Sequence, residues 1–521
     1  MKNNFLNWFF AVEVILFSLI ITGILPREIA LYLGAALVIY FLAAPLDDSL
    51  VFFVRSIPLF LALPITAGFD NFNVWRILAA ILFLKWLFKN SIKYYVLCIK
   101  DWVKNFSYKK PPFLLIILLI LAVLSVIPAP DKMAAIKRII FFLNFAVLGV
   151  VICDKAENQE FVKRLIKNSI IPVIIVATVG YIQVISTYFI DIYQFMRIWG
   201  EGIQCRQFGE QWCNIAVQLG NTWFAYFGEQ LSLRVFSLFP NSHSFPQFVL
   251  LGIPAILAML LRKNTNHKTQ ITNKTQKIKA QIPRIIILSS LFLIIILSGT
   301  RGIWAASVGV ILLALAIIFY TNRQMPTKSA IAENVGTFKN LTRYLVIFFV
   351  MFAVAFPIFS SPQFLVGKSD DILKNRIKSI IDFGETSNAQ RIEIWKKTLS
   401  SIKEKPFLGV GIGNYPVVLE QDIRLAKAGS SAHNLYLHIT AEMGILAGII
   451  FIWFLWLLFK RNYDIFTKEG DKQLGIYFAA TLLFVPWVLI YSLTDIAIFD
   501  ERSFLMFVTT TALILGTKKP D

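Results

Sequence analysis

Apolar runs of about 17 to 25 residues, the length a helix needs to cross a bilayer, recur from one end of the chain to the other. Polar breaks separate them, most of them short. The pattern predicts about fourteen spans, near 6–24, 28–45, 50–67, 73–89, 112–129, 136–153, 169–190, 246–261, 284–299, 303–320, 343–360, 434–459, 475–493 and 502–517. Lipid offers no partner to open backbone groups, so such spans must be helices. The expected fold class is therefore all-α: a polytopic integral membrane protein with about 12–14 transmembrane helices and a helical extracytoplasmic loop. The first run is followed by many others, which marks it as a first span rather than a cleaved signal peptide.

The polar breaks set the orientation. The stretch 262–284 carries Arg262, Lys263, Lys268, Lys274, Lys277, Lys279 and Arg284 with no acid, and 89–110 carries Lys89, Lys93, Lys100, Lys104, Lys109 and Lys110. Such loops stay cytoplasmic. Counting spans from either one puts both termini inside and two long loops, 191–245 and 361–433, outside. The chain then divides into N-terminal membrane helices (1–190), a first long extracytoplasmic loop (191–245), central membrane helices (246–360), a second extracytoplasmic loop (361–433) and C-terminal membrane helices (434–521). The second loop is itself rich in Lys and Arg, which is tolerable because long loops are translocated largely regardless of charge. Within it Ile392, Trp395, Leu399 and Ile402 recur at helical spacing until Pro406 and the glycines 409, 411 and 413 break the pattern. An amphipathic helix lying on the outer membrane–water boundary is expected.

Composition agrees. Of 521 residues, 57% are hydrophobic and only 16% charged, too few charges to cover a soluble protein of this size. The net charge of +20 is explained by the cytoplasmic loops as a topology signal, so no nucleic-acid partner is expected; the lipid bilayer is the partner implied. The cysteines show no CxxC or metal-binding spacing. Cys205 and Cys213 share one outer loop, where they are either a disulfide or two free thiols. The run "GVGIGN" at 409–414 lacks a preceding strand and lies outside, which argues against a nucleotide site.

Three outward-facing stretches hold polar groups that insertion alone would not select. In "LSGTRGIW", 297–304, two spans meet in a tight turn with Arg301 at its apex. An arginine reaching into head groups is the plain alternative. In "AQRIEIWKKTL", 389–399, Arg391 and Trp395 sit one helical turn apart; a surface arginine stacked on an interfacial tryptophan would look the same. In "SSAHNLYLHITAEMGILAG", 430–448, His433 precedes an apolar run, and Asn434, His438 and Glu442 follow at four-residue steps on one helix face. For Glu442 a helix-to-helix hydrogen bond is the simpler reading. No further cluster completes a coordination sphere, so no metal is expected.

The ordered set resembles the O-antigen ligase and polymerase family of bacterial envelope glycosyltransferases. Its pieces are an arginine in a tight outer turn, then R-x-x-x-W and P-x-x-G-x-G-x-x-x-Y in a long outer loop, then H-N-x-x-L…E-x-G-x-x-G entering a span. The resemblance covers roughly 285–460. It implies transfer of a glycan from undecaprenyl diphosphate to an acceptor hydroxyl at the outer leaflet of the cytoplasmic (inner) membrane, with no metal, nucleotide or other cofactor. It implies His433 as the catalytic base and Arg301 and Arg391 as holders of the donor diphosphate. Arg234, in "RVFSLFPNSHSFPQF", resembles a further family position, and His243 in the same stretch is a secondary candidate. Trp395, Asn434 and Glu442 complete the expected substrate-binding set. Chemistry agrees: a diphosphate leaving group needs charge stabilisation, which guanidiniums supply, and the acceptor needs a base that is neutral near pH 7.

The expected activity is that of an O-antigen ligase, with a glycan or glycolipid acceptor. A repeat-unit polymerase of the same family is the first alternative. A lipid-linked oligosaccharide flippase or other transporter is the second; it would want charges lining a path through the bilayer, for which Glu13, Arg55 and Lys85 are scattered candidates.

Overall fold

The computed structural model describes residues 2–66, 72–89, 110–209, 212–213, 222–227, 230–261, 274–324, 329–361, 363–364, 386–421 and 430–518. It is a helical membrane protein. In chain order the main helices are α1 (Lys2–Ile21), α2 (Ile29–Ala43), α3 (Leu46–Ser56), α4 (Trp75–Lys89), α5 (Pro111–Leu124), α6 (Lys132–Lys155), α7 (Gln159–Asn168), α8 (Ile170–Ser186), α9 (Ser244–Leu260), α10 (Lys274–Leu297), α11 (Arg301–Gln324), α12 (Ser329–Ser360), α13 (Thr386–Glu404), α14 (Leu435–Met443), α15 (Ile445–Lys468), α16 (Lys472–Tyr491) and α17 (Glu501–Gly516). Among the described residues seven helices are long and apolar enough to cross a membrane, and four shorter apolar helices accompany them. Two small antiparallel ribbons, β1 (Ala62–Leu63) with β2 (Phe72–Asn73) and β3 (Phe224–Phe227) with β4 (Gln230–Leu233), lie in the connections.

Every expected span falls on helix, with two instructive departures. The run expected at 50–67 leaves the α-helix at Ser56, where Ile57–Leu59 tighten into a 3-10 turn around Pro58, whose ring nitrogen has no proton to donate. The run expected at 434–459 is two helices, α14 and α15, broken at Gly444.

Two helices form the centre. Every residue of α9 from Ser244 to Ala258 is buried, and α16, which packs along it, is nearly as enclosed. A helix that is apolar all round belongs in such a place. The outer helices do the reverse: α5 and α6 leave Leu115, Ile120, Val123, Ile136 and Ile140 uncovered, the surface that lipid would cover.

Cross-links sort the helix ends into two sets. At one end Lys155 pairs with Asp47 at 2.9 Å, Lys163 with Asp471 at 2.8 Å and Lys518 with Glu157 at 3.1 Å. At the other end Arg76 pairs with Glu501 at 2.6 Å, Arg502 donates to the Phe60 carbonyl at 2.9 Å and the Leu435 amide donates to the Ser492 carbonyl at 2.8 Å. The helix ends Lys89, Pro111, Leu260 and Lys274 lie at the first end.

At the second end the break at Gly444 locks onto the turn after α13. The Ile445 amide donates to the Pro406 carbonyl at 2.8 Å, and the Val410 and Gly411 amides donate to Ala441 and Glu442, each at 2.9 Å. Gly444 has φ +89°, and a Cβ there would lie 2.0 Å from the Phe407 carbonyl oxygen. The turn is gripped from behind by the α5–α6 corner. Asn414 Oδ1 accepts from the Asp131 amide at 2.9 Å, its Nδ2 donates to the Asp131 carbonyl at 3.1 Å, and Ser125 Oγ accepts from the Ile412 amide at 3.2 Å. Gly444→Ala should therefore destabilise the protein by at least about 1–3 kcal/mol from backbone strain, with the clash added. It should melt at clearly lower temperature in detergent; an unchanged melting temperature would show that the break tolerates a side chain.

The helix expected in the second long loop is present as α13. Its covered side carries Thr398 and Ile402, with Trp395 partly covered, and Leu399 faces outward, 48% exposed. It packs on α14 and on the 415–419 turn. The segment 365–385, expected as the start of the same loop, lies outside the described residues.

Candidate active site

Three connections meet at the second end of the molecule. The first is the end of β4. Arg234 donates its amide to the Trp223 carbonyl at 2.8 Å, and the Val235 amide donates to the Leu297 carbonyl at 3.1 Å. Arg234 is thereby laid over the α10–α11 corner, with Nε 3.4 Å from the Ser298 carbonyl. The second is that corner itself, 298–300. Thr300 Oγ1 donates to the Ser242 carbonyl at 2.9 Å, and Trp487 Nε1 donates to the Ile303 carbonyl at 2.9 Å. Arg301 is thus the first residue of a firmly held helix, α11. The third is the segment that leads into α14, where His433 adopts φ +44°. Trp395 Nε1 donates to the Ala432 carbonyl at 2.9 Å, and the neighbouring Leu435–Ser492 hydrogen bond fixes the other side.

The charged side chains of these connections form one electrostatic network. Arg234 interacts with Arg301 and Arg391; Arg391 in turn interacts with His243, His433 and Asp495. His243 stands in the middle. Its Nδ1 lies 3.0 Å from the Tyr491 hydroxyl and 3.1 Å from Asp495 Oδ2, and its Nε2 lies 3.3 Å from Arg234 Nη2. Asp495 Oδ1 accepts from the Ala497 amide at 2.9 Å.

Burial and charge set the protonation states. Burial is the chief effect on Arg234, pushing it down to about 10, so it stays cationic near neutral pH; Tyr491 and Asp495 oppose the shift and the other two arginines add to it. Burial likewise lowers His433, with Asp495 opposing and Arg391 adding. It also lowers His243, against the pull of Asp495. For Asp495 burial works upward, but His243, His433 and Arg391 together hold the carboxyl well below its usual range. Near neutral pH the cluster is three guanidiniums around one carboxylate, with two neutral imidazoles. The cluster carries an excess of positive charge.

Of the residues singled out from sequence, Arg234, Arg301, Arg391 and His433 come together here. Trp395 supports the His433 segment. Asn434 is the N-cap of α14: its Oδ1 accepts from the Tyr436 and Leu437 amides, both at 3.0 Å, which commits that oxygen to the backbone. Glu442 is turned to the glycine-rich turn. Its Oε1 accepts from the Tyr415 amide at 3.3 Å and lies 3.5 Å from His438 Nε2. Among the described residues His433 Nδ1 and His438 Nδ1 are buried without a hydrogen-bond partner; His438 stacks near Tyr415, ring centroids 4.7 Å apart.

Tyr491 and Asp495 were not singled out from sequence. Asp495 reads there as an ordinary acid in a short outer break between two spans. The only available signal was the polar run Ser492, Thr494 and Asp495 on the same side as the arginines. Cys205 and Cys213 are joined by a disulfide and are not free thiols. Arg206, inside the bridged loop, lies against the Ile21 carbonyl at the same end as the arginine cluster.

No curated protein matches the chain. The family described as O-antigen ligase matches residues 286–452, roughly a third of the chain. That segment contains Arg301, Arg391 and His433; Arg234, His243, Tyr491 and Asp495 reach the same cluster from outside it. An O-antigen ligase domain in a multi-pass membrane body denotes a glycosyltransferase-like enzyme acting on lipid-linked glycans within a membrane. Residues 286–452 thus carry the likeness to the O-antigen ligase/polymerase family.

Proposed function

We propose that the protein is an O-antigen ligase-type transferase that moves a glycan from undecaprenyl diphosphate to an acceptor hydroxyl. The observation that carries this reading is the set of three arginines, at the end of β4, at the α10–α11 corner and on α13, gathered beside a half-buried neutral histidine at one end of a membrane-spanning bundle. His433 takes the proton of the acceptor hydroxyl. The freed oxygen attacks the anomeric carbon, the carbon–oxygen bond to the diphosphate breaks, and the diphosphate leaves with the electron pair. Arg301, Arg391 and Arg234 stabilise the charge that develops on the leaving group, and the amide groups at the start of α11 point the same way. A divalent cation would be repelled by the same guanidiniums, so the transfer is expected to proceed without metal.

The disulfide supports an extracytoplasmic site, since such bonds persist in oxidising compartments, and the helix ends that flank the basic stretches, Lys89, Pro111, Leu260 and Lys274, lie at the opposite end. Reporter fusions should place a tag after Lys274 in the cytoplasm and one after Gly384 outside. Both on one side would refute the arrangement. A transporter is less well supported: Glu13 accepts from Ser56, Arg55 donates to Asn7 and Asn168, both at 2.7 Å, and Lys85 donates to the Phe41 and Ala44 carbonyls. Each is tied off locally.

The direct test is transfer of a labelled glycan from synthetic undecaprenyl diphosphate in detergent, with a glycolipid acceptor in one arm and a second lipid-linked repeat in the other. Product in the first arm, unaffected by chelator, is expected. Product only in the second makes the protein a polymerase, and no product with either ends the proposal. The pH profile adds a check on the base. A base works only when unprotonated, and burial and Arg391 lower His433 from its ordinary 6.5 against the pull of Asp495. Transfer should hold steady above neutrality and fall as the pH drops through a midpoint below 6.5. A midpoint above 7 would contradict His433 as the base.

A further inference from the structure

We infer that His243 is a positioning residue that aims the Arg234 guanidinium at the donor diphosphate, held in one tautomer by Asp495 and Tyr491. The inference rests on the transferase reading above.

Donor and acceptor chemistry fixes the arrangement. A carboxylate only accepts, so His243 Nδ1, 3.1 Å from Asp495 Oδ2, carries the ring proton. A guanidinium only donates, so Nε2, 3.3 Å from Arg234 Nη2, offers its lone pair. Both neighbours demand the same neutral tautomer. Tyr491, hydrogen-bonded to Asp495 as well, closes the third side of the Nδ1 contact at 3.0 Å. The imidazole is also fixed from its backbone, because Asn241 Oδ1 accepts from the His243 amide at 3.0 Å and the Ser244 amide at 2.9 Å.

This lock reaches two arginines. Arg234 is held through Nε by the Ser298 carbonyl at 3.4 Å and through Nη2 by His243, so its plane is set from two sides. At the start of α11, a Cβ on Gly302 would lie 2.7 Å from the Tyr491 ring; the turn that carries Arg301 rests directly on the same tyrosine. With both ring nitrogens engaged, His243 has no lone pair to take a proton from the acceptor without releasing Arg234. His433, whose Nδ1 has no partner among the described residues, is left to that task. The two histidines thus divide the work between base and leaving-group support.

Two substitutions separate positioning from bulk. In His243→Gln the longer amide reaches the Nε2 position and can accept from Arg234. In His243→Asn the amide ends near Nδ1, within reach of Asp495 and Tyr491 but short of Arg234. With the synthetic undecaprenyl diphosphate-linked glycan, Asn should raise the donor KM about 10-fold or more, the scale of one hydrogen bond to a charged group, and change kcat by less than about 3-fold. Gln should stay within about 3-fold on both. Equal effects of the two, or a loss confined to kcat, would overturn the role. A 15N spectrum of histidine-labelled wild type, needing neither variant nor activity, should show His243 neutral and protonated on Nδ1; protonation on Nε2 overturns the proposal by itself. Direct binding of undecaprenyl diphosphate separates the levels. A wild type that binds none refutes the transferase reading together with this role, whereas normal wild-type binding with indistinguishable variants refutes the positioning role alone.

Discussion

Replacing His433 with alanine should cut glycan transfer by about 100- to 10,000-fold, the range for removal of a positioned general base, while undecaprenyl diphosphate binds within a few-fold of wild type. The two readouts part because a base acts in the transition state and contributes little to holding the donor. The surroundings favour this outcome. His433 is flanked by segments fixed through Trp395 and Ser492, so removing its ring leaves the arginines supported by other contacts. Controls lie one and two turns into the same region. His438→Ala and Glu442→Gln disturb the packing of the glycine-rich turn, where Glu442 accepts from the Tyr415 amide. They should lower the melting temperature more than they lower the turnover of the folded fraction. If His438 or Glu442 variants lost turnover at normal stability while His433→Ala kept it, the base would lie deeper along α14 and the proposed centre would have to move with it.

How much of this was legible in the sequence depended on the range of the contact. The spans are legible because each is a local run set by bilayer thickness, and Arg301, Arg391 and His433 stand out as candidates because their motifs are local. The departures have non-local causes. The break at Gly444 depends on the 406–411 turn, some thirty residues upstream, donating and accepting around it; an apolar run by itself gives no hint of that. Asn434 and Glu442 share a helical face on paper, yet one caps α14 and the other binds the turn behind it, because a polar residue beside an unsatisfied amide is taken up by the backbone first. Asp495 and Tyr491 were hidden for the converse reason. Their partner, His243, is about 250 residues away in sequence, and nothing in the last outer break announces that it folds beneath the first long loop.

Arg301→Ala should lower turnover by about 100- to 1,000-fold, the scale for losing one preorganised donor to a developing negative charge, and should weaken donor binding too, since the diphosphate is charged before and after the bond breaks. The more telling variant is Arg301→Lys. It keeps the charge but replaces a planar fork with a point charge on a flexible stem, and it should recover less than about a tenth of the lost activity. Arg301 opens α11, whose first turn is held by Thr300 on Ser242 and by Trp487 on the Ile303 carbonyl, and its charge is felt by Arg234. An anion placed between the two guanidiniums would be favoured by both, and bridging a diphosphate calls for donors in fixed directions. Measuring kcat and donor Kd separately for the two variants decides the matter. Full activity in Arg301→Lys would mean that charge alone suffices and that the fork is not used. Normal donor binding in Arg301→Ala would mean that this arginine serves the departing diphosphate only, or the membrane surface, and that Arg234 and Arg391 hold the donor without it.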